Sequence, residues 1–167
     1  MDGGGGGVLD LSSPTILIDN HSALHTTAGR TIGDPTAILV TTDNLTISGQ
    51  SEINSSTQNQ SLGNGGSITI QGLAGPADSV TIDDVGSGIF TDTVGAGAGG
   101  EIFVNASLGA MTNGSGVSSS STGTGNAGNI MINAGNLFTM TNSSVTTAAP
   151  QSSGGAIKIP TDPNGTV

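Results

Sequence analysis

Gly125-Asn126-Ala127-Gly128-Asn129-Ile130-Met131-Ile132 contains the pattern that decides the fold: a small, glycine-rich turn, then two aliphatic residues separated by one other. Side chains alternate between the two sides of a strand, so Ile130 and Ile132 point one way and Met131 the other. The stretch Gly63-Asn64-Gly65-Gly66-Ser67-Ile68-Thr69-Ile70 repeats the arrangement. Working outward, the pair recurs as Ile16 and Ile18, Ile38 and Val40, Ile68 and Ile70, Ile102 and Val104, Ile130 and Ile132, and Ile157 and Ile159. The first members stand 22, 30, 34, 28 and 27 residues apart, and Gly66, Gly100, Gly128 and Gly155 each lie two residues ahead of their pair.

A second motif follows within most units, in which an apolar residue, a short polar turn and another apolar residue come in order. It runs from Ile47 to Ile53, from Met111 to Val117 and from Met140 to Val145, and more loosely from Ile82 to Ile89. The turns use Gly and Asn, which tolerate positive φ. Each unit therefore holds about three short strands and shows no 3.6-residue period, which matches one coil of a solenoid. The expected fold is all-β, a parallel β-helix (β-solenoid) of about six coils of 22 to 34 residues. Residues 1–14 read as a Gly-rich N-terminal segment with conformational freedom, 15–160 as the solenoid and 161–167 as a C-terminal tail. In such a stack the paired aliphatics form inward ladders, and Thr69, Phe103, Met131 and Lys158 face outward. A single coil cannot offset its ordering entropy, so the coils need one another.

Composition narrows the function. The chain has 167 residues, 29 of them Gly, with no Trp, Tyr or Cys; Phe90, Phe103 and Phe138 are its aromatics. The formal charge is −10, with Arg30 and Lys158 as the only fixed cations. Counterion release on nucleic acid needs clustered Lys and Arg, so nucleic acid is excluded as a partner. No apolar run reaches the roughly 20 residues of a membrane-spanning helix, so no membrane insertion is expected. The start, Met1-Asp2 followed by Gly3 to Gly7, has neither the basic nor the apolar part of an export signal, so the chain reads as a piece of something longer.

The segments Gly63 to Ile70 and Gly125 to Ala134 resemble the repeats of filamentous-haemagglutinin-like exoproteins, the secreted partners of two-partner secretion systems, especially the long cyanobacterial versions. Leu108 to Val117 and Leu137 to Val145 resemble the second half of that repeat, and the likeness spans roughly Ile38 to Ile159. The resemblance implies a right-handed parallel β-helix, export through an outer-membrane pore, and adhesion, aggregation or surface fibres at the bacterial cell surface. Met1 to Asp34 do not match the secretion domain that precedes the repeats in that family.

Several residues could carry chemistry. His21 and His25 stand four apart, which on a helix would set two metal ligands on one face, but the segment reads as strand and turn. Asp83, Asp84 and Asp92 could form a carboxylate pair for glycoside cleavage or bind Ca²⁺. With two cations far apart and no Trp or Tyr, they read instead as solubilising turn acids. Gly3 to Gly7 and Gly95 to Gly100 lack a phosphate-loop Lys and read as flexible entry and tight turns. Asn-x-Ser/Thr triplets begin at Asn20, Asn44, Asn54, Asn59, Asn105, Asn113, Asn142 and Asn164, as such a composition produces by chance. No catalytic, cofactor or metal site is therefore assigned. The expected function is a structural and adhesive one, with cell or abiotic surfaces, glycans or further copies as partners. A head-to-tail filament is the alternative, and a polysaccharide-cleaving enzyme or an ice-binding solenoid ranks lower.

Overall fold

Alternation of buried aliphatic and exposed polar residues produces strands throughout. In the computed structural model, which describes residues 7–29, 37–58 and 61–160, every regular element among those residues is a strand. Arg30, Asn59, Asn164, Gly3 to Gly6 and the 161–167 tail lie outside them. In chain order the strands are β1 (Val8–Ser12), β2 (Thr15–Ile18), β3 (Ala23–Ala28), β4 (Ala37–Thr41), β5 (Asn44–Ile47), β6 (Glu52–Thr57) and β7 (Ile68–Gln71). They continue as β8 (Ala77–Ile82), β9 (Gly88–Thr93), β10 (Ile102–Met111), β11 (Gly116–Ser121), β12 (Ile130–Met140), β13 (Ser144–Ala148) and β14 (Ile157–Lys158).

Every pairing is parallel and joins one coil to the next, giving a β-solenoid with three strand faces. The first face stacks β1, β4, β7, the start of β10, the start of β12 and β14. The second stacks β2, β5, β8 and the remainders of β10 and β12. The third stacks β3, β6, β9, β11 and β13.

The coil count is five complete turns, with β14 opening a sixth, where the sequence spacing counted six. Register explains the difference. Ile16 and Ile18 pair with Leu45 and Ile47 on the second face, whereas the partners of Ile38 and Val40 are Leu9 and Leu11. Measured from Leu9, the first coil has 29 residues, which removes the anomalous spacing of 22. Strand β1 thus lies inside the stretch set apart as an N-terminal segment, and stacking begins at Val8. The long third coil, 34 residues from Ile68 to Ile102, owes its length to a loop at 72–76 and an extra turn residue near Val85. In the fourth and fifth coils the first two strands merge into β10 and β12, which run on through a register shift between Ala106 and Leu108.

The core is a set of stacked rows. Ile38, Ile68, Ile102 and Ile130 are each at most 1% exposed, and Ile53, Ile89 and Val117 form the matching row of the third face. Repeated aliphatic rows fill the narrow interior without bulky aromatics. The exception is Phe138, whose ring covers Gly109 of the coil before and would lie 2.7 Å from any Cβ there. The sequence-predicted outward residues do face out, Lys158 and Met131 most openly.

A fourth side has no strands. The glycine-rich arms between the third face and the next coil lie directly on one another: a Cβ on Gly123 would sit 1.7 Å from Gly95 O, and one on Gly125 1.9 Å from Gly97 O. Gly95 to Gly100, read from sequence as tight turns, is therefore a stretch of backbone packed on backbone. Inward hydroxyls of the third face tie the arms down: Thr91 Oγ1 and Ser119 Oγ both donate to Gly100 O, at 2.8 and 3.0 Å.

Candidate functional site

The corner between the second and third faces gathers most of the titratable candidates. Each coil turns there through left-handed residues, Asn20 and His21, Gly49 and Gln50, Asp84, Asn113 and Gly114, and Asn142. Gly and Asn suit these positions, having little or no penalty at positive φ. Beneath the turn runs a serine column. Ser22 N–H donates to Ser51 Oγ, Gln50 and Ser51 N–H donate to Ser87 Oγ at 3.0 and 3.3 Å, and Ser115 Oγ donates to Ser143 Oγ. Ser51 and Ser87 are completely buried, and the bond between them satisfies a turn amide that water cannot reach.

The acids serve the same stacking and do not form a catalytic pair. Asp83 accepts from Thr112 Oγ1 at 2.6 Å and Asn113 Nδ2 at 2.7 Å, both in the following coil. These bonds, the hydroxyl first and the carboxamide second, hold its carboxyl below the usual value of 3.8. Asp84 turns the other way and accepts from Gly49 N–H in the preceding coil. Asp92, on the outer side of β9, accepts from Ser120 Oγ at 2.6 Å. Neighbouring coils thus separate the three acids into different bonds. Among the described residues no three His, Asp, Glu or Cys side chains group together as metal ligands would.

The two histidines part company as well. His21 occupies the corner turn, and its backbone N–H donates to Gly49 O at 2.8 Å. His25 lies on the outer side of β3, within hydrogen-bond reach of Thr27 and Ser56 hydroxyls. Several asparagines of the Asn-x-Ser/Thr triplets are likewise engaged between coils: Asn44 Oδ1 accepts from Ser79 Oγ, and Asn105 Oδ1 from Asn133 Nδ2 at 2.9 Å.

Two outer surfaces remain. On the third face the outward rows are mostly polar, interrupted by Phe90 between Asn54 and Ser118, and are cross-linked in places from coil to coil, Thr27 with Ser56, Asp92 with Ser120, and Thr146 with Ser118. On the first face an open groove of about 320 Å³ lies between two outward rows of the last coils. Glu101, Asn129 and Ala156 form one wall, and Phe103, Met131 and Lys158 the other. Sequence reading found the second wall as a row of outward residues. It missed the first, whose only sequence signal is its position just ahead of each Ile pair.

Comparison of the chain with protein-family models, with curated proteins and with solved structures found no match. The geometry therefore carries the functional argument.

Proposed function

We propose that this solenoid is a structural and adhesive segment of a secreted bacterial surface protein of the filamentous-haemagglutinin-like kind. It is a rod that meets surfaces, glycans or other copies through its outer faces and performs no catalysis. The observation that supports this reading is the third face, where outward hydroxyls and a carboxylate are joined by bonds between coils. Rows on stacked strands repeat every ~4.8 Å, so many weak polar contacts can form at once without ordering any loop. The acids that would serve cleavage are occupied in bracing the stack.

Attachment of the purified chain to glycan-coated and abiotic surfaces tests the reading. Single changes on the third face, such as Ser118→Ala or Ser56→Ala, are expected to alter attachment by no more than about threefold, as each removes one hydroxyl among many weak contacts. Loss of attachment from one of these changes, with an unchanged circular dichroism spectrum, would contradict it.

A filament is the second reading, favoured by the stacking itself: every described pairing is parallel and joins one coil to the next, an arrangement that a further copy can continue. Head-to-tail growth gives a concentration-dependent rise in sedimentation coefficient, and a constant monomer value at high concentration would rule it out.

A further inference from the structure

We infer that the interior of the rod, at its fourth coil, holds a dry apolar cavity that binds one small apolar molecule, a gas of the size of xenon or dioxygen. The site lies among inward side chains and is independent of the adhesive reading, which concerns the outer faces.

Two inward rows run short of side chain there. One stacks Leu45, Val80, Gly109 and Phe138, so the fourth coil places nothing between the valine of the coil before and the ring of the coil after. The other stacks Ala77, Ala106 and Ala134, which supply a single methyl group each. The Phe138 ring leans over Gly109 and closes part of the gap, with Cδ2 2.7 Å from where a Cβ would stand. It does not close all of it. A cavity of about 20 Å³ remains, with Val80, Met111, Val117, Ile132 and Phe138 among its walls, all of them buried.

The lining selects the occupant. Its residues are Val, Ile, Ala, Gly, Met and Phe alone, and they turn no polar atom toward the space. A buried water needs roughly two to four polar partners and finds none here, and a roomy cavity without them stays dry and takes apolar guests. Size narrows the guest further. The volume exceeds the roughly 10–15 Å³ that one water requires and falls far short of the ~150 Å³ of a cavity that admits benzene, which leaves a single atom or a diatomic gas. Such a guest restores the dispersion contacts that the walls lack across the void, and a polarisable one such as xenon restores most.

Methyl NMR of the whole chain, equilibrated with xenon at rising pressure, tests the site. Saturable shifts are expected at Val80, Met111, Val117 and Ile132. Ile38 and Ile53, whose rows carry an aliphatic side chain in successive coils, should not move. Without xenon, the cavity methyls should show no contact with a bound water. Gly109→Ala places a methyl group in the void and should weaken xenon binding by about tenfold. Val80→Ala widens the same space and should strengthen binding severalfold, which keeps the test open if the crowded Gly109 variant does not fold. Shifts that rise without saturating and spread over all methyl groups, a water seated among Val80, Met111 and Ile132, or a xenon affinity indifferent to Val80→Ala would overturn the inference.

Discussion

The aliphatic faces and the glycine arms stack coils by opposite means. On the first face, neighbouring coils meet through side chains, and Ile38, Ile68, Ile102 and Ile130 lie one on another with almost no exposure. On the arms, neighbouring coils meet through bare backbone, and Gly123 and Gly125 leave no room for a methyl group. The contrast teaches that a solenoid with few bulky residues gains its density in two ways, and that the two ways fail under opposite substitutions. Removing atoms damages the faces, and adding atoms damages the arms.

The largest expected effect comes from emptying a face. Ile102→Ala leaves a void between two fully packed coils and should cost about 4 kcal/mol, read as a fall in urea midpoint. Next comes filling an arm. Gly123→Ala drives a Cβ toward Gly95 O, and because both groups are backbone neither can rotate away, so about 3 kcal/mol is expected. Gly29→Ala is the counterpart that sharpens the comparison: nothing lies within 4 Å of its Cβ, and a change under about 0.5 kcal/mol is expected. Equal costs at Gly123 and Gly29 would break the distinction between packed and open glycines.

The corner between faces two and three is intermediate, since it stacks through polar side chains. Ser87→Ala leaves the Gln50 and Ser51 amides without their acceptor and should cost about 2 kcal/mol in the same measurement. The smallest effect is a pH dependence from Asp83. Its carboxyl is held below 3.8 by Thr112 and Asn113, so the folded chain binds its proton more weakly than the unfolded chain does. The stability this adds is fully present above the ordinary carboxylate value and is lost as pH falls through the lower folded value. Thr112→Val, which removes the first of those bonds, should flatten melting temperature against pH in that acid range, lowering it near neutrality while leaving it unchanged at the acid end.

Much of this architecture was legible in the residues. The pairs Ile38/Val40, Ile68/Ile70, Ile102/Val104 and Ile130/Ile132 stand in register as their spacing implied. So do the loosely matching ends of the second motif, Ile82 with Met111 and Ile89 with Val117. The first coil was misframed because Ile16 and Ile18 imitate the pair. Leu9 and Leu11 are the true members, and Gly7, two residues ahead of Leu9, repeats the position of Gly66, Gly100, Gly128 and Gly155.

The candidate site was less legible because its bonds span a whole coil. Asp83 meets Thr112 at a separation of 29 residues, Asp84 meets Gly49 at 35, and Glu101 meets Asn129 at 28. No local motif encodes such partners. They follow only once the register is known, and one misplaced coil would scramble them at that end of the stack. The glycine segments were opaque for a related reason: bareness suits both a flexible loop and a close backbone contact, and only the neighbouring arm distinguishes them.

Register is therefore the claim on which the rest depends, and cysteine pairs test it directly in a chain with no native Cys. Leu17 and Thr46 both face outward and stand opposite one another on adjacent strands, within the Cα separation of roughly 4.4–6.8 Å that a disulfide spans. Mild oxidation of the Leu17→Cys/Thr46→Cys variant should give an intrachain cross-link, seen as faster migration on a non-reducing gel. The Leu17→Cys/Leu39→Cys variant, which pairs the strands as the simple spacing of Ile16 and Ile38 suggests, should stay reduced. Cross-linking of 17 to 39 with 17 to 46 left free would contradict the five-coil register and restore Ile16 to the first face.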